Sequence, residues 1–354
     1  MKIFFLPNNI ASMTAITVDA INRMGNHQAR GLILSHSNAP QTHLDLTVIR
    51  YNRKSFTKYF YYLKWYVLFL RNLLWCDVLH WNGSFDILLL KLTMPVIRLF
   101  KKPGLVEYVG GERNPEVEML DNEYYREIWY NGYEYPYETV KNAEATGNLF
   151  KYGGFAGLAL PGMRQHYASH HFKRVYKGFQ RIDVSRFVPA YPDRNNVRPL
   201  LIHSPTAPIA KGTAQILEVV EELKKELQFD FKLVQGVSHA EALSLLMNAD
   251  IFIDQIKLGH YGMASLESMA SGKPTVCYIK KYVLENDLAE DMPVVNASIA
   301  DLKPVLRKLI SNPALRNEYG KRSRQYVELF HDVKNAVPML IEAYKQEIAA
   351  RKSE

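Results

Sequence analysis

Short runs of apolar residues alternate along the chain with longer segments in which apolar residues recur at helical spacing. In the first half, such runs predict five strands: KIFFL (2–6), ARGLILSH (29–36), LDLTVI (44–49), DVLHW (77–81) and GLVEYV (104–109). The segments between them, such as SMTAITVDAINRMG, have the apolar spacing and the final glycine of a helix. Continuous apolar strands that alternate with helices predict a parallel sheet.

The same pattern restarts after residue 197. The predicted strands there are PLLIHSP, FKLVQG, ADIFIDQ and KPTVCYI. The helices predicted between them are TAQILEVVEELKKEL and HAEALSLLMNA, and a capping box from Ser238 to Glu241 opens the second. The fold class that this pattern indicates is α/β, with two doubly wound halves.

A stretch with few apolar runs separates the two halves. GFQRIDVSRFVPAYPDRNNVRP contains three prolines and several charges, as interdomain linkers do. We therefore predict an N-terminal Rossmann-like domain over residues 1–190 and a C-terminal one over residues 191–354. The basic helices at the end of the chain are predicted to break near Pro313 and Pro338 and to pack back on the first domain.

Size and charge limit the classes of function. The chain has 354 residues, 47% of them hydrophobic, which is enough for two cores. Its 44 Lys and Arg against 36 Asp and Glu give a formal charge of +8, which favours anionic partners. The basic residues are scattered and form no known nucleic-acid-binding module, so we expect no nucleic-acid partner.

Cysteine usage and apolar length bear on the compartment. Cys76 and Cys277 are far apart and suggest no disulfide framework, so a reducing compartment is expected. MKIFFLPNNIAS resembles a first buried strand more than a secretory signal, and no apolar stretch reaches the roughly 18 residues of a spanning helix. We expect a cytoplasmic protein.

The stretch GHYGMASLESMASGKPTVCYI (259–279) has the character of an anion site. Gly262 lets the backbone approach a ligand closely, and the next amides are donors without partners at a helix N-terminus. Glu267 lies beside the start of the same helix.

Four stretches, in this order along the chain, resemble the family 4 retaining glycosyltransferases: QRIDVSRFVP, IHSPTAPIAKGT, NADIFIDQ and YGMASLESMASGKPTVCY. The resemblance implies the GT-B fold, in which two Rossmann-like domains face a central cleft and a C-terminal helix crosses between them. It also implies a nucleoside-diphosphate sugar as co-substrate.

The resemblance assigns roles to residues of the second half. Glu267 would accept hydrogen bonds from the ribose hydroxyls, and Lys211 would place its ammonium on the diphosphate. These two and His260 are the catalytic candidates. The donor-binding candidates are Gly212, Gly262, Met263, Ala264, Ser265, Leu266 and Asp254. No Asp-x-Asp suited to a divalent ion stands at a strand end, so no metal or other cofactor is expected.

Three positions depart from the family pattern. Gly259 stands where many members carry a glutamate, Pro208 lies where many carry an arginine, and Val109 replaces a frequent histidine. Two interpretations stay open. Either other groups such as His260, Asp254 or Gln255 hold the sugar, or the protein has lost activity and binds nucleotides or glycans.

In the first half, loops that follow predicted strands are the candidates for the acceptor site. They contribute Asn8, Asn9, Asn82, Gly83, Gly111 and Arg113. The asparagines could equally be turn residues bonded to their own backbone, and Arg113 could pair with Glu116.

Two segments bear on the nature of the acceptor. Residues 54–75 are aromatic and apolar around spaced basic residues, as in an interfacial helix on an anionic membrane or in a core helix with snorkelling lysines. The tyrosines of 123–140 could stack on sugar rings or pack in an ordinary loop. Both fit a glycan or a lipid-linked saccharide, with peripheral membrane contact.

The resulting hypothesis is a retaining hexosyltransferase of cell-surface polysaccharide synthesis, which transfers a sugar to a hydroxyl group. A non-catalytic GT-B binding protein and a nucleotide-sugar epimerase are the alternatives. The sequence does not specify the nucleotide, the sugar or the linkage.

Overall fold

The computed structural model describes residues 1–35, 45–52, 54–83, 86–110, 114–160, 169–286 and 292–353. The strands are β1 (Lys2–Leu6), β2 (Gln28–Ser35), β3 (Leu46–Arg50), β4 (Val78–Asn82), β5 (Gly104–Tyr108), β6 (Ala156–Ala159), β7 (Val175–Lys177), β8 (Leu200–His203), β9 (Asp230–Leu233), β10 (Ile251–Ile253), β11 (Thr275–Cys277) and β12 (Val295–Asn296). All the strands predicted from the sequence are confirmed, whereas β6, β7 and β12 were not predicted.

The helices of the first half are α1 (Met13–Arg23), α2 (Lys58–Trp75), α3 (Ile87–Leu99), α4 (Pro115–Asp121), α5 (Glu123–Tyr130), α6 (Val140–Gly153) and α7 (Ser169–His171). Those of the second half are α8 (Pro208–Lys211), α9 (Thr213–Leu223), α10 (His239–Met247), α11 (Met263–Ala270), α12 (Lys281–Asn286), α13 (Leu302–Ile310), α14 (Pro313–Phe330) and α15 (Val333–Lys352). Ser238 caps α10 as predicted, because its side chain accepts a hydrogen bond from the amide of Glu241.

The chain forms two compact units. Unit 1 comprises residues 1–114, 137–181 and 333–354, and unit 2 comprises residues 115–136 and 182–332. This division differs from a single boundary at 190/191. Residues 115–136 lie in the first half of the sequence but belong to unit 2, because their side chains pack and hydrogen-bond there, as described below.

Unit 1 contains a sheet of seven parallel strands in the order β3-β2-β1-β4-β5-β6-β7. Alternate residues of a strand point to opposite faces, so Phe4 and Leu6 pack in one hydrophobic cluster and Ile3 and Phe5 pack in another. The first cluster includes side chains of α2 and α3, and the second includes side chains of α1 and α15. Helices therefore cover both faces of the sheet.

Helix α15 belongs to unit 1. Its Glu347 carboxylate, fully buried, accepts hydrogen bonds from Arg174 at 2.9 Å and from the hydroxyl of Tyr176 at 3.1 Å. The predicted break at Pro338 is wrong, because α15 continues through this residue. Burial of the neighbouring Val337 and Leu340 against the sheet offsets the helical hydrogen bond that proline cannot donate. The break near Pro313 is confirmed, since α14 begins there after Asn312.

Unit 2 contains five parallel strands in the order β12-β11-β10-β8-β9. The order reverses beside β8, whose neighbours are β10 and β9. In such open sheets, ligands bind outside the carboxyl ends of the strands where the order reverses. The loops after β8 and β10 therefore mark the place to look for a site. The fold class, two parallel-sheet Rossmann-like units, is confirmed.

Candidate active site

Lys211, at the end of the short helix α8, points to the carboxyl end of β10. Its Nζ donates to Oδ1 of Asp254 at 2.6 Å, and the hydroxyl of Ser265 donates to Oδ2 of the same carboxylate at 2.5 Å. Asp254 thus links the loop after β8 to the first turn of α11. Three of the predicted site residues lie together here.

Both members of the Lys211 and Asp254 pair are charged at neutral pH. Burial alone would lower the pKa of Lys211, but the adjacent carboxylate raises it above its ordinary value. Burial alone would raise the pKa of Asp254, whereas Lys211 and the Ser265 hydroxyl lower it. The Lys211 side chain keeps 12% of its surface exposed and has three donors, of which Asp254 takes one. The ammonium can therefore reach a further anion.

Helix α11 begins beside this pair with Gly262 as its N-cap. The φ of Gly262 is −117°, which any residue adopts, so the glycine is not needed for backbone conformation. An added Cβ would meet nothing within 4 Å, so the space in front of the helix start is open. The amides of Met263, Ala264 and Ser265 are the first of the helix and have no acceptor within it. Leu266 instead lies in the hydrophobic core, and its amide donates to Gly262.

The backbone conformation at position 212 requires a glycine. It separates α8 from α9 with a φ of +75°, and an added Cβ would lie 2.6 Å from a side-chain carbon of Ile256. Its role in the structure is to place Lys211 close to the loop after β10.

Glu267 lies one turn into α11 and retains 18% side-chain exposure. Its Oε1 accepts a hydrogen bond from Nε2 of His239 at 2.8 Å. This contact raises the pKa of His239. His239 was not predicted from the sequence; its position at the start of a capped helix facing α11 is a tertiary feature that spacing does not show.

A buried histidine supports the same loop. Nδ1 of His203 donates to the carbonyl of Ile253 at 2.8 Å, so Nε2 accepts from the hydroxyl of Thr213 at 2.9 Å. Burial lowers the pKa of His203 to about 4, so the ring is neutral. His203 fixes the end of β10 to the start of α9.

Gln255 and His260 lie in the loop between β10 and α11. The Gln255 amide donates to the carbonyls of His260 and Tyr278 and accepts from the amides of Lys257 and Leu258. Gln255 is therefore fully used in holding the loop, and the idea that it holds a sugar is not supported by its contacts. The His260 ring is half-buried, with Nδ1 donating to the carbonyl of Tyr261 at 3.3 Å.

Residues 115–136, termed here the acidic segment, pack against this part of unit 2. Tyr125 and Ile128 are buried in a cluster with Ala207 and Ala210. Both carboxylate oxygens of Glu134 accept backbone hydrogen bonds from α8, from Ile209 at 2.6 Å and from Ala210 at 3.1 Å.

Two buried lysines complete the contact of the acidic segment. Lys280 donates to Glu118 at 3.1 Å and to Asp121 at 3.0 Å, and Lys257 donates to Glu127 at 3.0 Å. The tyrosine-rich stretch is thus largely a packed element, and Glu134 is a site residue that the sequence pattern did not reveal.

In unit 1, the structure brings Asn8 and Asn82 together. Asn8 Nδ2 donates to the carbonyl of Asn82 at 2.9 Å, and Asn82 Nδ2 donates to the hydroxyl of Thr14 at 2.8 Å. Asn9 accepts from the amide of Ala15 at 3.0 Å, and the Gly83 amide donates to the carbonyl of Glu107. Asn9 makes the local contact of a turn residue, whereas Asn8 and Asn82 join the loop after β1 to the end of β4. Gly111 and Arg113 lie outside the described residues.

The loop after β1 also contains backbone strain. Ala11 and Ser12 have φ values of 47° and 61°, the left-handed region that non-glycine residues rarely adopt. Such strain clusters at functional sites.

Comparison with known proteins gives a family match for part of the chain. Residues 218–326 match the family model described as Glycosyl transferases group 1. No protein of curated function matches the sequence. The match includes β10, α11 and Glu267, but not Lys211.

Among solved structures, the chain is similar to sucrose-phosphate synthase from Thermosynechococcus elongatus, with 9% identity, a TM-score of 0.69 and coverage of 99% of this chain and 100% of that one. It is also similar to the catalytic domain of starch synthase IV from Arabidopsis thaliana, bound to ADP and acarbose, with 10% identity, a TM-score of 0.65 and 99% coverage of both chains.

A third similar structure is HepE from Anabaena in complex with UDP and glucose, with 11% identity, a TM-score of 0.60 and coverage of 97% of this chain and 99% of that one. At these identities the likeness shows the fold alone. The chain therefore has the GT-B fold, and its residues 218–326 are similar in sequence to the group 1 glycosyltransferases.

Proposed function

We propose that the protein is a retaining glycosyltransferase that takes a sugar from a nucleoside-diphosphate donor and transfers it to a hydroxyl group of a glycan or a lipid-linked saccharide. The observation that carries the proposal is the meeting of the Lys211 ammonium and the first turn of α11 at Asp254. A cation and free amides at the carboxyl ends of β8 and β10 suit a diphosphate.

The roles of the residues follow from their contacts. Lys211 and the amides of Met263, Ala264 and Ser265 bind the diphosphate and offset the charge that grows on it as the glycosidic bond breaks. Asp254 is buried and used by Lys211 and Ser265, so it positions these two groups. Glu267, partly exposed, accepts hydrogen bonds from the ribose hydroxyls. No step of this scheme calls for a metal ion.

The similar structures with bound ADP, UDP and glucose support a nucleotide-sugar donor for this chain. A thermal-shift screen of UDP-, GDP- and ADP-sugars tests it directly, because a ligand that binds only the folded protein raises the Tm. Turnover is then measured with the binding donor, and NMR of the product reports whether the anomeric configuration is retained. Failure of every donor to raise the Tm would refute the proposal.

The same screen separates the alternatives. An epimerase converts or hydrolyses a UDP-sugar without any acceptor, so the donor is also incubated alone and analysed for epimer or free sugar. Nucleotide binding without turnover on any glycan or lipid acceptor would favour the non-catalytic binding protein.

Helix α2 favours an acceptor at a membrane surface. Tyr62, Trp65 and Phe69 are buried, while Phe60 and Leu63 expose 67% and 62% of their surface. The helix therefore packs on the core with one face and exposes a second apolar face, which would suit contact with lipid. On α3, next to α2 through a hydrogen bond from Tyr66 to the carbonyl of Leu92, further apolar side chains are exposed at Leu88 and Leu92.

Basic side chains on and beside this exposed face complement an anionic lipid surface. Lys54, Lys64 and Arg71 are exposed. No helix of the described residues is long and apolar enough to cross a bilayer. We therefore expect peripheral binding on the cytoplasmic side, with α2 and α3 against the lipid.

Vesicle co-sedimentation tests the membrane contact. Phe60→Ser/Leu63→Ser should abolish binding to anionic vesicles, and Lys64→Glu/Arg71→Glu should weaken it in a salt-dependent way. Leu329→Ser, which alters an exposed leucine of unit 2, is the matched control. Equal binding by all variants would exclude this face.

A further inference from the structure

The acidic segment lies in the first half of the sequence, yet its side chains pack against α8 in unit 2. Three kinds of contact hold it there: the buried aromatic cluster around Tyr125, the ion pairs of Lys257 and Lys280, and the two hydrogen bonds accepted by Glu134. The aromatic cluster includes Ala207 and Ala210, and the Glu134 carboxylate accepts hydrogen bonds from backbone amides of the same turn, which ends in Lys211.

Helix α8 has four residues and no side-chain cap from its own N-cap, Ala207. Its first residue, Pro208, has no N–H group to donate. The next two amides, those of Ile209 and Ala210, donate to the carboxylate of Glu134. The Lys211 amide donates to the Ala207 carbonyl at 2.9 Å. Glu134 is therefore the group that closes this turn from outside.

So short a helix is unstable by itself and depends on its partners. A carboxylate with one oxygen on each of two successive amides fixes the direction of the turn, because charge-assisted hydrogen bonds are stronger and shorter than neutral ones. The position of this turn determines the position of Lys211, its last residue.

We infer that Glu134 is a positioning residue of the donor site, which holds α8 so that the Lys211 ammonium faces the diphosphate. The inference rests on the proposed function, since Lys211 is the group that it serves. Glu134 itself is not expected to touch the substrate.

The test compares Glu134→Ala and Glu134→Gln with Glu127→Gln as the matched control. Glu127 belongs to the same segment, and its carboxylate accepts a hydrogen bond from Lys257, which lies in the loop after β10. Glu134→Ala should raise the Kd for the nucleoside diphosphate and the donor KM about 10-fold, with the acceptor KM unchanged. Glu134→Gln keeps one acceptor oxygen, so its Kd for the nucleoside diphosphate and its donor KM should lie between those of Glu134→Ala and the wild type. Glu127→Gln should bind like the wild type.

Amide hydrogen exchange at Ile209, Ala210 and Lys211 is measured on the same variants. Faster exchange in Glu134→Ala together with weaker diphosphate binding supports the inference. Faster exchange with unchanged binding overturns it and leaves the proposed function standing, as does equal weakening by Glu127→Gln, which would indicate general loosening. Wild-type protein that binds no nucleoside diphosphate refutes the proposed function, and the inference with it.

A separate observation concerns unit 1, where α6 and α7 bring three metal-binding side chains together. Ligand atoms of Glu144, His170 and His171 all lie within 4.8 Å of one another. His171 is buried, and its ring fills the space left by Gly147, where a Cβ would lie 2.3 Å from it.

We propose that these three residues bind a divalent transition-metal ion of the Zn²⁺ class. Two imidazoles and one carboxylate are a typical donor set for zinc and leave a fourth position for water. Bonds of about 2.0 to 2.2 Å would draw the ligand atoms closer together. The His170 side chain, 65% exposed and 3.5 Å from the Glu144 carboxylate, is free to make that movement. Bound metal would join α7 to α6.

Isothermal titration of EDTA-treated protein with Zn²⁺ and Co²⁺ tests this site, and the Co²⁺ absorption spectrum reports tetrahedral coordination. One ion per chain is expected, with affinity reduced at least 10-fold in His170→Ala and in Glu144→Gln. Both residues are partly exposed, so these variants should fold. His27→Ala, in the same unit, is the control.

Loss of binding in the two site variants and not in His27→Ala supports the site. Absence of binding by the wild type overturns it, as does binding that survives both site variants or that His27→Ala removes. A Co²⁺ spectrum typical of octahedral water ligation would also overturn it, because it indicates adventitious binding only.

Discussion

Both units contain a buried carboxylate paired with a cation, Glu107 with Arg181 and Asp254 with Lys211, but the two pairs differ in what remains available for a ligand. In unit 1, Arg181 donates twice to Glu107 at 2.7 Å, and two further donors go to Thr17 and the carbonyl of Phe179. His80 donates to Glu107 at 3.1 Å and accepts from the Tyr344 hydroxyl at 2.7 Å.

This network of unit 1 is closed. Arg181 and Glu107 have almost no exposed surface. Burial alone would raise the pKa of Glu107, yet Arg181 and His80 lower it to about 2. In unit 2, Lys211 has donors left over and an open space nearby. The comparison teaches that a buried ion pair by itself does not indicate a ligand-binding site. Hydrogen-bond donors that remain unused beside open space do indicate one.

The largest effect is expected from opening the closed network. Arg181→Met should lower the free energy of unfolding of unit 1 by about 3–5 kcal/mol, because it leaves the Glu107 carboxylate buried without its cation. Hydrogen exchange at the amides of β4 and β5 measures the free energy of unfolding of unit 1 separately from that of unit 2. Arg181→Met/Glu107→Gln should recover much of the loss. A double variant no more stable than the single one would contradict this account.

Removing the ion pair of Lys211 and Asp254 should lower turnover far more than it lowers the free energy of unfolding. Lys211→Ala alone would also leave Asp254 buried without its cation, so it mixes both effects. Lys211→Met/Asp254→Asn removes both charges, and we expect turnover about 10²- to 10³-fold below wild type with the fold retained. Lys224→Met, an exposed lysine at the end of α9, is the control. Full activity of the double variant would show that Lys211 does not serve the diphosphate.

The neutral histidine of unit 2 should make stability depend on pH. His203 has a pKa near 4 when folded and near 6.5 when unfolded, so its contribution is present above pH 6.5 and is lost as the pH falls toward 4. The loss should total about 3 kcal/mol. Unfolding of wild type and His203→Gln at several pH values measures it. Parallel pH curves for the two proteins would rule it out.

The smallest effect is expected at Glu267. The contact with Glu267 raises the pKa of His239, so the charged contact is complete below pH 6.5 and disappears as the pH rises through the raised value. The ribose competes with His239 for this carboxylate, so the donor KM should fall as the pH rises. The change should be less than about 10-fold, since a partly exposed contact is weak. His239→Ala should give a flatter pH profile. A wild-type profile as flat as that of the variant would refute the competition.

The sequence was sufficient for most of the fold and for the centre of the site. Continuous apolar strands such as β1 and β10 are buried on both faces, so their pattern survives in the sequence. The nearness of Lys211 to α11 could be expected, because Lys211 lies in the connection after β8, Gly262 lies in the connection after β10, and these two strands are neighbours in the sheet. β7 and β12 escaped prediction because they are short edge strands of three and two residues with partly exposed side chains.

What the sequence could not show are contacts between distant segments. Glu134 lies 75 residues from Ile209, and His239 lies 28 residues from Glu267. Neither spacing has a periodic signature, since both depend on how helices pack. For the same reason the acidic segment could not be assigned to unit 2.

Helix α15 has a consequence for how the protein is made. Its Tyr344 completes the hydrogen bonds of His80, and its Val337 and Leu340 cover one face of the first sheet. These residues are synthesised more than 200 residues after β1 to β5, the strands at the centre of the first sheet. During translation one apolar face of these strands therefore stays uncovered until α15 has been made, and exposed apolar surface of this kind is what chaperones bind.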